Sequence, residues 1–179
     1  MKSGKENIRG IKMKLLKLRL ENFRGVREAT YDFTDLTKIK GQNGSGKSTI
    51  FSSWTWLFVD RDSTLVSNPP VRPIDAIDEQ VTTVTADIEI SGKQVQVQKS
   101  QKLKRSKSGT VSLTNSYMVN SVPKSERDFK EYLSNLGFDF DKFLLCSHPR
   151  VFLVAINKKE ERGALRNMRC GMVSDITDV

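Results

Sequence analysis

The stretch Gly41-Gln42-Asn43-Gly44-Ser45-Gly46-Lys47-Ser48-Thr49 brings three glycines, an ammonium group and adjacent hydroxyls into one short run. Gly-x-x-x-x-Gly-Lys-Ser is the pattern of a phosphate-binding loop. Glycines at 41, 44 and 46 let the backbone curl around an anion with its N–H groups inward, and the N-terminus of a following helix adds partial positive charge. Lys47, the one residue expected to act in catalysis, would reach the β and γ phosphates of a nucleotide. Ser48 would place its hydroxyl on Mg²⁺, and Thr49 would continue the helix start. Gly41, Gly44, Ser45, Gly46, Lys47, Ser48 and Thr49 are thus the expected nucleotide-binding residues. The plainer alternative is an ordinary glycine-rich turn.

Such a loop needs a strand before it and a helix behind it. From Leu15 the chain alternates, with Leu16, Leu18 and Leu20 on one side and Lys17 and Arg19 on the other, which predicts a strand. A second strand is expected over 27–33 and a short third over 36–40, directly before the loop. The run from Ile50 to Val59 reads as a buried helix in which Trp54, Trp56 and Phe58 are packing residues. Asn68-Pro69-Pro70 and Pro73 impose an irregular loop. Alternation resumes at Val84, Ala86, Ile88 and Ile90, turns at Ser91-Gly92, and continues through Val95 and Val97. A basic loop is expected over 102–109, then a strand near 110–114, so that residues 81–116 form an antiparallel meander. Ser125 and Asp128 have capping-box spacing, and Gly137 is a stop signal, which predicts a helix to Leu136. Short apolar segments follow over 143–146 and 151–156, separated by His148-Pro149, and a helix is expected from Asn157.

The 179 residues are 37% apolar and 28% charged, enough for one modest core. No apolar run approaches the ~20 residues of a spanning helix, and the basic start lacks a signal-peptide core, so no membrane role is expected. Two cysteines, Cys146 and Cys170, make no disulfide framework or zinc set, and the cytoplasm is the expected location. The net charge of +9 is concentrated in residues 1–19 and 93–107, each at +6. Two such patches would attract a polyanion such as DNA by counterion release, or would merely be solvated strand edges.

LENFRG at 20–25, GQNGSGKST at 41–49 and WLFVDRDS at 56–63 together resemble the N-terminal lobe of SMC-like DNA-repair ATPases, the group of SbcC-like and RecF-like proteins with ABC-type heads. VRPID at 71–75, YMVNSVPKSERDF at 117–129, and HPRVF followed by ERGALRNM at 161–168 look more narrowly like the short SMC-like ATPases of phages and prophages. The resemblance implies an α/β P-loop NTPase lobe with a mixed sheet, binding ATP and Mg²⁺. It also implies a C-terminal lobe or second head as partner, ATP-driven head dimerisation, and DNA as the target of the parent protein. Residues 1–12 would be a flexible leader and 13–179 a single lobe, its last helix leading toward a coiled coil. The resemblance further implies that Arg24 approaches the phosphates and that Asn43 steadies the loop or touches the γ phosphate across a dimer. The alternative for Arg24 is a strand-end arginine with its head in water. Asp60 and Asp62 read as solvated loop acids.

Two departures bear on hydrolysis. Where ABC-type heads carry a glutamine, this chain reads Leu-Leu-Cys-Ser-His-Pro at 144–149, with Ser147 or His148 the only stand-ins. Ile77-Asp78-Glu79 has acids but no apolar strand before them, and Leu-Ser-Gly-Gly is absent. The chain is accordingly expected to be half of an ATPase head, inactive by itself. A GTPase-like domain is a weaker rival, because Asn157-Lys158-Lys159-Glu160 ends in Glu where Asp is needed and no Asp-x-x-Gly occurs. A non-catalytic nucleic-acid-binding or interaction fragment is the third reading.

Overall fold

The computed structural model describes residues 13–64, 66–75, 80–105 and 111–147. In β1 (Met13–Phe23) the alternation read from Leu16 onward sends Leu18 and Leu20 fully inside and leaves Arg19 in water. β2 (Val26–Asp32) folds back on it, and β3 (Thr82–Ile90) pairs on its other side. β4 (Lys93–Arg105), β5 (Val111–Val119) and β6 (Val122–Lys124) extend the sheet in the order β2-β1-β3-β4-β5-β6. Every pairing is antiparallel. The mixed sheet expected from the sequence is therefore antiparallel among the described residues.

Three helices cover one face: α1 (Lys47–Val59), α2 (Glu126–Asn135) and α3 (Phe140–Ser147). α1 packs on β1, β3 and α3, while α2 packs on β5 and β6. The core between them holds Leu18, Leu20, Val84, Ala86, Ile88, Ile90, Val95 and Val97 from the strands, with Trp56, Leu57, Phe58, Phe129 and Leu133 from the helices. α1 lies between the sheet and α3, and its buried residues, the small Ser52, Ser53 and Thr55 among them, fall on all sides rather than in one stripe. Trp54, Trp56 and Phe58 do pack: Phe58 stacks on Phe138 at 4.9 Å, Trp54 meets Phe143 edge-on at 5.6 Å, and Trp56 meets Phe23 at 5.7 Å. The helix predicted from Ser125 forms, and the Asp128 N–H donates to the Ser125 hydroxyl at 3.1 Å. Gly137, at φ +96°, ends it.

The expected strand over 36–40 does not form. After Phe33, the Thr34 N–H donates to the Thr37 hydroxyl at 2.9 Å and the Thr34 hydroxyl to the Leu36 carbonyl at 3.1 Å. This local knot takes over backbone groups that a ladder would use, and Leu36 and Ile39 are left exposed. The basic loop expected to begin at Lys102 is instead the end of β4 as far as Arg105, paired with residues 111–114 of β5. Nothing in the sequence announces β6, because its tight turn places Asn120 and Ser121 at positive φ without a glycine. The expected apolar segment at 143–146 is part of α3. Expectations for Ile77-Asp78-Glu79, His148, residues 151–156 and the helix from Asn157 lie outside the described residues.

Candidate phosphate-binding site

The loop 41–46 leads directly into α1, whose first residue is Lys47. Gly44 and Gly46 stand at φ +81° and +87°, in the left-handed region that glycine enters without steric cost. A Cβ at Gly41 would meet the Ser45 hydroxyl, which would have to turn aside. The Ser45 N–H donates to the Gln42 carbonyl at 3.2 Å and so closes the loop on itself. No side chain caps the start of α1, and no acid stands in its first turn. Among the described residues, the N–H groups of Gly44, Gly46, Lys47 and Ser48 have no acceptor. A helix start is normally capped by Ser, Thr, Asp or Asn. An uncapped row of N–H donors with a positive dipole end is the arrangement an oxyanion satisfies.

The Lys47 ammonium folds back over the loop and donates to the Gly41 and Gln42 carbonyls at 2.6 and 2.7 Å. Its charge is thereby held at the loop mouth. Asn43 and Ser45 are exposed on the loop, Ser48 is exposed in the first turn of α1, and Thr49 is half-buried beside it, its N–H bonded to Gly46 at 2.9 Å. No group of three or more His, Cys, Asp or Glu side chains gathers among the described residues. The donor available for a magnesium ion riding on phosphates is the Ser48 hydroxyl, a hard oxygen suited to that ion.

The Asn-Phe-Arg segment is a sharp exit from β1 with Asn22 and Arg24 at φ 51° and 53°. Asn22 donates to the Val81 carbonyl at 3.0 Å and accepts from Gln80 at 2.6 Å, clamping the entry to β3. Phe23 is fully buried against Trp56. Arg24 is turned toward α1, where it donates to the Ser52 hydroxyl at 3.2 Å and to Asp62 at 2.9 Å. Ser52 lies one turn beyond Ser48 on the same helix face, about 6 Å along the axis at 1.5 Å per residue. Arg24 is thus held against α1 one turn beyond Ser48, and its head is not simply in water.

The two acids behind α1 are corrections to the sequence reading. Asp62 is buried, and its carboxylate takes the Thr64 N–H and hydroxyl, the Val66 N–H and Arg24. Burial pushes its acidity toward the neutral form, but the Thr64 bonds, Arg24 and Val66 outweigh it and hold the carboxyl below its ordinary range. Asp60 pairs with Lys99 of β4, a lysine with 0% exposure. The Lys99 ammonium also donates to the Trp56 carbonyl at 3.1 Å and sits 4.4 Å from the Trp56 ring. Burial lowers its affinity for a proton and Asp60 restores part of it. It supplies the cation that a helix C-terminus favours, which α1 lacks in its own last turn. Sequence reading placed Lys99 in a surface patch, and its one signal was parity: Val95, Val97 and Lys99 share a face.

The patches themselves are weaker than their sums. Lys99 is internal, Lys14 pairs with Asp35, and Lys17 pairs with Asp32 at 3.2 Å. Ser147, a candidate stand-in for glutamine, ends α3 half-buried.

Residues 17–169 match the AAA_23 family, described as an AAA domain, and the chain belongs to that family. Among solved structures it is similar to the recombination mediator RecF with ATP (TM-score 0.51, 17% identity) over 65% of this chain and 30% of that one. A second RecF structure, from the same RecFOR pathway and carrying ATPrS, aligns with a TM-score of 0.50 and 18% identity over 64% and 28%. A structure from work on ATP-driven dimerization and DNA-stimulated activation of SMC ATPases aligns with a TM-score of 0.52 and 18% identity over 86% and 97%. The chain spans less than a third of the RecF chains it matches. No curated protein matches it in sequence. The fold is that of the N-terminal lobe of an SMC- and RecF-like, ABC-type P-loop ATPase head.

Proposed function

We propose that this chain binds ATP·Mg²⁺ as the N-terminal lobe of an SMC-like ATPase acting in DNA repair or recombination. The observation that carries the proposal is the uncapped start of α1, whose free N–H donors at 44, 46, 47 and 48 are backed by the Lys47 ammonium. Gly41, Asn43, Gly44, Ser45, Gly46, Lys47, Ser48 and Thr49 form the nucleotide seat, Arg24 approaches from the side, and Ser48 holds the metal. The likeness to RecF with ATP and to SMC heads favours ATP over other polyanions.

In this reading ATP joins two heads, each completing the other's site, and hydrolysis awaits acids and a signature loop from a C-terminal lobe. Leu36 and Ile39, exposed just before the phosphate loop, favour such a neighbouring lobe. Residues 13–179 belong to one lobe, and the parent acts in the cytoplasm, as phage and prophage SMC-like ATPases would. No helix among the described residues is long and apolar enough to cross a membrane.

Calorimetric titration of the chain with ATP and Mg²⁺ tests the core of the proposal. The parent binds, while Lys47→Ala loses at least tenfold in affinity, the value of about one charge-assisted contact. Both unfold at the same temperature, because Lys47 serves the ligand and not the core. Equal binding by parent and variant sinks the proposal.

A further inference from the structure

Arg24, Ser52 and Asp62 form a connected group that no phosphate-loop motif includes. Asp62 is anchored to its own segment: one carboxylate oxygen takes the Thr64 N–H at 2.8 Å, the Thr64 hydroxyl at 2.7 Å and the Val66 N–H at 3.1 Å. Its other oxygen takes Arg24. The Ser52 hydroxyl accepts from Arg24 and from the Ser63 N–H at 3.2 Å, so α1 and the segment after it hold the guanidinium together. The Arg24 N–H donates in turn to the Val71 carbonyl at 2.6 Å, which fixes the backbone at its left-handed φ.

An arginine head has five N–H donors. Two of these are engaged here, and the side chain keeps 27% of its surface in solvent. The remaining donors belong to a cation fixed beside Ser52, a residue one helical turn beyond Ser48 on α1. Arginine flexes on a long stem, and a guanidinium held by a carboxylate has lost most of that freedom before an anion arrives.

We propose that Asp62 and Ser52 are positioning residues that pre-set Arg24 to donate to the phosphate chain of a nucleotide held at residues 41–48, a role that rests on the nucleotide-binding reading above. Asp62 does not touch the ligand and acts only through Arg24.

Calorimetry with ATP·Mg²⁺ on the whole chain tests this with Arg24→Ala, Asp62→Asn, the pair combined, and Asp62→Glu. Arg24→Ala weakens ATP binding about tenfold, the worth of roughly one charge-assisted hydrogen bond. Asp62→Asn weakens it to a similar degree, the double variant is no weaker than Arg24→Ala alone, and Asp62→Glu recovers most of the affinity. Asp62→Asn keeps the size and most of the hydrogen bonds of the parent residue, and a ligand-free thermal melt verifies its folding. If it does not fold, Ser52→Ala combined with Arg24→Ala provides the same cycle. Additive losses in the double variant, or parental affinity in Asp62→Asn, overturn the inference while leaving nucleotide binding intact. Absence of ATP binding by the parent, or by parent and Lys47→Ala alike, overturns both.

Discussion

Lys99 shows how one buried charge ties a helix to a sheet. Its ammonium sits over the Trp56 ring and closes the C-terminus of α1 through the Trp56 carbonyl and Asp60. Removing the acid strands the ammonium. Breaking a buried pair costs about 3–5 kcal/mol. Asp60 retains 26% exposure, so Asp60→Ala is expected to cost about 2 kcal/mol, measured by urea unfolding, after allowance for solvent screening. Proton linkage gives a second readout. The unfolded chain holds the Lys99 proton more tightly than the folded one, so the penalty is full below the folded value and is relieved as pH rises through it toward 10.5. The parent therefore gains stability relative to Lys99→Met as pH rises through the lowered folded value toward 10.5, and parallel curves for the two would show that Lys99 is not held in this way. Asp62 has the opposite sign at the acid end. Its carboxyl is held below 3.8, so its contribution is present above that value and is lost as pH falls through the lower folded value.

At the scale of elements, α1 and α2 are begun by opposite means. α2 has the Ser125 hydroxyl on the Asp128 N–H, with Glu126 and Asp128 in its first turn. α1 has neither a cap nor an acid. Ser125→Ala should cost about 1 kcal/mol in urea unfolding, the usual worth of an N-cap. A cap placed at Gly46 would occupy the donors of α1 and force a side chain to φ +87°, so Gly46→Ser should impair nucleotide binding. A stable, well-folded Gly46→Ser variant that binds ATP like the parent would show that the free donors are not the seat. The aromatic cluster behind the loop gives α1 its rigidity. Phe58→Ala removes contacts with Trp54, Phe138 and Phe143 and should cost about 3–5 kcal/mol.

For the molecule as a whole, charge placement decides how far a DNA role reaches. Lys93, Lys102 and Lys104 remain exposed on β4, whereas Lys14, Lys17 and Lys99 are each paired with a carboxylate. A few free cations give a shallow dependence of affinity on salt, because each phosphate neutralised releases about one counterion. Binding to duplex DNA at low salt should weaken in Lys102→Glu/Lys104→Glu, with a log–log salt slope smaller by roughly 2. An unchanged slope would exclude the β4 ribbon from the proposed DNA contact. The polar second face of the sheet, with Thr83, Thr85 and Ser100 on it, carries no helix among the described residues.

Local chemistry determined what could be read in advance. Glycines at fixed spacing before a lysine, alternation through β1, β3 and β4, and a serine three residues before an aspartate each act within a few residues. The loop, the meander and the capped helix were legible for that reason. Contacts distant in the chain were not. Asp60 and Lys99 are partnered across 39 residues and Arg24 and Asp62 across 38, and neither acid differs locally from a solvated one. Leu36 to Lys40 has a strand's composition, but the Thr34 hydroxyl donates to the Leu36 carbonyl and the Thr37 hydroxyl accepts the Thr34 N–H just before it. Only the folded chain brings a β4 cation to one end of α1 and the cation of the turn after β1 to its flank, because the energy of an ion pair depends on distance in space and burial, which spacing along the chain does not encode.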